Sequence, residues 1–128
     1  MSQYPYNKKL SPPCPGLEII FSPFSKLRFY LKIWAKIDTG ADVTLIPQTI
    51  LGRIGKVKQP TKCYNIIGFD GVPQKRPVYE VNFEVAGCKF EKMEVMSSPG
   101  NNILLGRDIL NQWKLTLDGH NLTFKIEK

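Results

Sequence analysis

The stretch Ile37-Asp38-Thr39-Gly40-Ala41-Asp42-Val43-Thr44-Leu45-Ile46-Pro47 decides how this chain is read. It is an acidic, glycine-bearing turn held between two apolar segments. Ahead of it the odd positions are Leu27, Phe29, Leu31, Ile33, Ala35 and Ile37, and the even ones are Arg28, Tyr30, Lys32, Trp34 and Lys36. That period of two predicts a strand with one buried face. Behind the turn, Val43 to Ile46 predicts a short buried strand. Pro47 then opens a helical turn that Gly52 and Gly55 close. Asp38 therefore stands at the end of a strand, against the apolar interior. Thr39 offers a hydroxyl to lock the turn, Gly40 permits close backbone approach, and Ala41 keeps the space beside the carboxylate small. As a bare tripeptide, Asp-Thr-Gly is also what an ordinary acidic β-turn looks like. Its setting gives it weight.

Working outward, Leu17 to Phe21 reads as a strand pairing with Leu27 to Ile37. Cys63 to Ile67 and Val72 to Val85 read as the arms of a long hairpin around Gly68-Phe69-Asp70-Gly71. Ala86-Gly87 is a second turn, Lys89 to Met96 a further strand, and Ser97 to Asn102 a loop. Ile103-Leu104-Leu105 predicts a short buried strand ending at Gly106, followed by one or two helical turns over Arg107 to Gln112. Trp113 to Leu117 and Asn121 to Ile126 flank Asp118-Gly119, a strong hairpin signal. Residues 1–16, with Pro5, Pro12, Pro13, Pro15 and Gly16, read as an extended arm. Residues 17–128 read as one domain. The fold class is all-β: many short strands in a small closed barrel, with one or two short helices.

Composition narrows the function. The chain has 128 residues, 42% apolar and 23% charged, which is one globular domain able to bury a core without staples. No apolar run approaches the ~18 residues of a membrane-spanning helix. The first sixteen residues lack the apolar stretch of a secretory signal. Cys14, Cys63 and Cys88 are too far apart in sequence for a metal or redox pair and read as free thiols, which points to a cytoplasmic location. The lone His120 lies beside the Asp118-Gly119 turn and reads as an exposed turn residue. No glycine-rich phosphate loop and no zinc ligand set occur, so no metal or cofactor is expected. The net charge of +7 would suit an acidic partner. Lys and Arg are scattered, however. The best local cluster, Lys56, Lys58 and Lys62, reads as a solvated loop, so a nucleic-acid partner is disfavoured.

Two blocks then combine: Asp38-Thr39-Gly40-Ala41-Asp42, and about sixty residues later Ile103-Leu104-Leu105-Gly106-Arg107-Asp108, with the glycine-tipped hairpin between them. In this the chain resembles the retropepsin-like aspartic proteases, the retroviral proteases and their cellular and bacterial single-domain relatives. The resemblance covers Leu27 to Ile126. It implies an acid-protease barrel and a C2 homodimer that hydrolyses peptide bonds. Asp38 would be the catalytic carboxylate, Thr39 would brace it across the dimer axis, and Gly40 would present its carbonyl to substrate. Ala41 and Asp42 would line the substrate site, with Asp42 meeting the substrate main chain and pairing with Arg107. Ile67, Gly68, Phe69, Asp70 and Gly71 would form the tip of a flap. Ile46, Val72 and Ile103 around the site would favour apolar side chains flanking the cut bond. Three features depart from retroviral members: Phe69-Asp70 stands where they have a glycine-richer tip, the Asp118-Gly119 hairpin extends beyond their end, and the proline-rich amino-terminal arm has no counterpart.

Only Asp38, of the aspartates, is followed by Thr-Gly. One chain thus supplies half of a carboxylate pair, and a symmetric dimer is the simplest way to complete it. The alternative reading is a catalytically weak protease-like module used for peptide binding or dimerisation.

Overall fold

The computed structural model describes residues 2–21, 31–54, 58–67 and 70–128. The strands are β1 (Ser2–Pro5), β2 (Gly16–Phe21), β3 (Leu31–Ile37), β4 (Leu45–Pro47), β5 (Lys58–Ile67), β6 (Pro73–Val85), β7 (Cys88–Ser98), β8 (Ile103–Leu105), β9 (Lys114–Asp118) and β10 (Thr123–Glu127). Two short helices, α1 (Gln48–Arg53) and α2 (Arg107–Leu110), complete the described elements.

The main sheet runs β2-β3-β8-β4-β7-β6-β5, and a further β2–β6 pairing closes its first six strands into a barrel. The expected all-β barrel is what forms. Its interior is filled by the inward positions of alternating strands. Ile19, Ala35, Val81, Val95, Ile103 and Leu105 are completely buried. Phe83 joins this core to its neighbours, tilted on Phe21 at 5.9 Å and stacked on Phe90 at 5.4 Å. On β3 the described part of the predicted alternation, Leu31 to Ile37, pairs antiparallel with β2 from Phe21↔Leu31 to Gly16↔Lys36. Leu27 to Tyr30 lie outside the described residues. Gly16 is glycine for want of space: a Cβ there would meet the Trp34 ring at 2.1 Å.

The Ala86-Gly87 turn has φ of 51° and 75° at its two central residues, the left-handed pair that suits a two-residue hairpin. Two boundaries differ from expectation. Pro47 ends β4 and caps α1 rather than lying inside it, Gly52 sits within the helix, and the C-cap is Ile54. Gly55 lies outside the described residues. Ser97 and Ser98, expected in a loop, extend β7, because β4 pairs with them in parallel.

A second sheet, β1-β10-β9, is paired separately from the barrel strands but adds Phe124 and Ile126 to the same core. Ser2–Pro5, within the arm, pairs antiparallel with Thr123–Ile126 of the same chain. Tyr4 stacks on the buried Phe124 at 5.3 Å. The arm then forms a backbone bridge between Asn7 and Cys14 before entering β2.

Candidate active site

Asp38 follows the last residue of β3. Its position is set by β8, which threads between β3 and β4, parallel to the first and antiparallel to the second. The Asp38 N–H donates to the Leu105 carbonyl at 3.0 Å, carrying the β3–β8 ladder one residue further. The chain then turns: Ala41 N–H donates to the Asp38 carbonyl at 3.2 Å, and Gly40 N–H donates to Asp38 Oδ1 at 2.9 Å. A Cβ on Gly40 would approach that same Oδ1 to 3.2 Å, so glycine leaves the carboxylate its room. Asp38 is half-buried, whereas Thr39 and Gly40 are exposed. The acid therefore sits at the rim of the barrel and presents an open face.

The turn is clamped from α2. Arg107 N–H donates to the Ala41 carbonyl at 2.9 Å. Its guanidinium donates from one nitrogen to the Thr39 carbonyl at 2.8 Å and from another to Asp42 Oδ1. One side chain thus spans both flanks of Gly40, which a planar fork can do and a point charge cannot. Arg107→Lys keeps the charge and loses the span. The expected result is a loss of about 1 kcal/mol, since the contacts are partly exposed. That is a melting temperature lower by roughly 3–5 °C in thermal unfolding. An unchanged melting curve would show that the clamp contributes nothing.

Beneath the clamp lies a lock that reading the sequence missed. Thr44 is completely buried, yet every polar atom in it is used. Its N–H donates to Asp108 Oδ2 at 3.0 Å, and its hydroxyl donates to Asp108 Oδ1 at 2.8 Å. The same hydroxyl oxygen accepts from Gly106 N–H at 3.2 Å. The Thr44 carbonyl accepts from Met96 N–H at 3.2 Å, tying the turn to β7. The one available signal was a hydroxyl among the apolar Val43, Leu45 and Ile46, which requires a buried partner.

The hairpin of β5 and β6 pairs up to Ile67↔Pro73. Asp70 Oδ1 accepts from Val72 N–H at 3.1 Å, and Gly71 has φ of +73°, a conformation suited to glycine. Ile67 and Val72 are 69% and 54% exposed, apolar side chains left uncovered at a hairpin end. Gly68 and Phe69 lie outside the described residues. The structure thus brings Asp38, Thr39, Gly40, Ala41, Asp42 and Arg107 together and places Ile67, Asp70 and Gly71 at the hairpin end. Ile46 and Ile103 correct the expectation that they face substrate. Both are completely buried in the core, so only Val72 of that trio is available to a ligand.

A family model described as retroviral aspartyl protease matches residues 22–118. The chain belongs to that family. The match takes in Asp38, the hairpin of β5 and β6, and the Arg107 block. It also fits the solved structures that this retroviral-type fold resembles. A retropepsin-like aspartic protease from Rickettsia conorii superposes with a TM-score of 0.68 at 15% identity, over 98% of this chain and 88% of that one. The EIAV protease complexed with the inhibitor HBY-793 gives 0.58 at 17% identity, over 77% of this chain and 86% of that one. No curated protein sequence matches the chain. The retropepsin-like fold supports aspartic protease activity.

Proposed function

We propose that this protein is an aspartic endopeptidase whose site is completed by a second copy of the chain, Asp38 from each protomer forming the catalytic pair. The observation that carries the reading is the placement of Asp38. It is held by Leu105 and Gly40 at the open rim of the barrel, in a chain with a single Asp-Thr-Gly. Family members act as homodimers on peptides, which supports the same reading.

The chemistry follows from two carboxylates about 3 Å apart, which cannot both ionise readily and so share one proton. The ionised member takes a proton from a water as its oxygen attacks the peptide carbonyl carbon. The protonated member donates a hydrogen bond to the carbonyl oxygen. The tetrahedral intermediate collapses as the amide nitrogen receives a proton from the pair and the C–N bond breaks. Oδ1 of Asp38 already accepts from Gly40 N–H, which orients the group and leaves Oδ2 for this exchange. The substrate would lie extended beneath the hairpin of β5 and β6, with Ile67 and Val72 covering apolar side chains.

The test is a peptide-library digest repeated over serial dilution. Activity per chain is expected to fall once the concentration drops below the dimer dissociation constant. Activity per chain that stays constant in a preparation shown by mass to be monomeric would refute the shared site.

A further inference from the structure

The seam between the two sheets holds a cavity that the catalytic site does not use. Its volume is about 430 Å³, within the roughly 300–1,000 Å³ typical of ligand sites. One wall is the arm, through Tyr4, Pro5 and Tyr6. The other is the outer face of β2 and β3, through Glu18 and Trp34, which stand opposite each other in the ladder. All three rings are half-buried and held before any ligand arrives. Tyr4 stacks on Phe124 at 5.3 Å, and Tyr6 tilts on it at 6.2 Å. Trp34 lies against Gly16, with no room for a Cβ between them. Aromatic surface already fixed in this way loses little freedom on binding.

Two polar groups of this cavity are unused. Among the described residues, the Trp34 indole N–H donates to nothing, and the Glu18 carboxylate has no cation within ion-pair distance. Glu18 is also the one charged side chain among the described residues that line the cavity. Lys32 and Lys36 share the face of Trp34 but do not line it.

We infer that this cavity docks a proline-rich segment of another protein, in the polyproline II conformation, with a basic side chain set on Glu18. The match is chemical first. A polyproline II strand has no internal hydrogen bonds, so its bare carbonyls suit a lone indole donor. Its proline rings pack on aromatic faces at low ordering cost, because the conformation is preformed. A guanidinium beside the prolines can pair with Glu18 and stack on Trp34. The repeat fits as well. Tyr6 N–H donates to the Leu122 carbonyl at 2.8 Å, which carries the β1–β10 pairing past Pro5 and keeps the chain extended. Tyr4 and Tyr6 therefore stand roughly 6.6 Å apart along the strand. Two residues of a polyproline II helix rise ~6.2 Å, so successive residue pairs meet successive rings. The chain's own prolines are engaged elsewhere. The Pro15 carbonyl accepts from Ile37 N–H at 3.0 Å, and the Asn7–Cys14 bridge closes off Pro12 and Pro13.

The test is a titration followed by NMR, with the capped peptide Arg-Ala-Leu-Pro-Pro-Leu-Pro as probe. The chain has two tryptophans, so the Trp34 indole N–H is one of two such signals and is assigned by its loss in Trp34→Phe. That signal is expected to shift and saturate, while that of the buried Trp113 stays in place. Replacing the prolines of the probe by glycine should weaken binding at least about tenfold, because the preformed conformation is lost. Glu18→Gln breaks no contact among the described residues and should leave the fold intact. It should weaken binding of the probe about two- to fivefold, and leave unchanged the binding of a probe with alanine in place of arginine. Should Trp34→Phe unfold for want of its packing on Gly16, the glycine probe and Glu18→Gln carry the test. Tetramethylammonium that shifts the Trp34 signal as readily as the probe, or a glycine probe that binds as tightly, would reduce the cavity to a cation cage and overturn the inference. A Trp34 signal unmoved at millimolar probe would overturn it too. Each readout is binding at Trp34, so none of these outcomes turns on the cleavage reaction.

Discussion

Asp38→Asn is expected to abolish peptide cleavage while leaving the protomer folded and dimeric. Asparagine has the same shape, and its side-chain carbonyl can still accept the 2.9 Å hydrogen bond from Gly40 N–H. The Asp38 N–H to Leu105 carbonyl bond is backbone and survives. What disappears is every titratable oxygen at the reacting centre. A single general acid–base group is worth roughly 10²–10⁴ in rate. The homodimeric variant loses both members of the pair, so a drop of at least about 10⁴ in kcat/KM is expected. Melting temperature should be unchanged, because the substitution removes none of the hydrogen bonds that hold the turn. The pH profile of wild type carries the same information. Cleavage requires one ionised and one protonated carboxylate, so it must fall when acid protonates both and when base ionises both. Full activity in Asp38→Asn would remove this residue from the chemistry. Loss of activity together with loss of fold would make it structural instead.

The parts of this site legible in the sequence are those whose physics is local. The alternation through Ile37, the acidic turn at Asp38 to Asp42 and the Asp118-Gly119 hairpin depend on neighbours a few residues away. Such patterns survive without knowledge of the fold. The lock does not. Thr44 and Asp108 are 64 positions apart and meet only because β8 enters between β3 and β4. No periodicity announces that insertion. Burial of short apolar runs is also ambiguous: Ile46 and Ile103 look the same in sequence whether they floor a cleft or fill a core, and the structure puts both in the core. Where the amino-terminal arm docks is hidden for a different reason. Prolines at 5, 12, 13 and 15 mark an irregular chain, but Ser2–Pro5 needs only backbone groups and Tyr4 to dock on β10.

Gly106→Ala is expected to damage both the fold and the catalytic turn with a single methyl group. Gly106 has φ of −88° and ψ near 180°, an extended conformation that alanine adopts without strain. Space is what forbids it. A Cβ at this position would lie 2.5 Å from the Val43 carbonyl carbon, 2.6 Å from its oxygen and 2.9 Å from the Thr44 nitrogen. These are backbone atoms, and no rotamer change moves them. Either β8 must withdraw from the turn or Val43 and Thr44 must retreat. Both movements stretch the Gly106 N–H to Thr44 hydroxyl bond and the two Thr44–Asp108 bonds, in a place where Thr44 has no water to turn to. Overpacking costs roughly 1–3 kcal/mol, and an unmet buried polar group roughly 1–3 kcal/mol more. The sum, about 3 kcal/mol or above, lowers the melting temperature by roughly 10–20 °C for a chain of this size. Activity should fall further than stability at permissive temperature, because the displaced residues adjoin Asp42 and the Arg107 clamp that hold the catalytic turn. Measured by thermal unfolding and by cleavage at a temperature where the variant is fully folded, the two losses separate. A variant that melts like wild type would mean that β8 and the turn do not touch, and the positioning of Asp38 by Leu105 would fall with that contact.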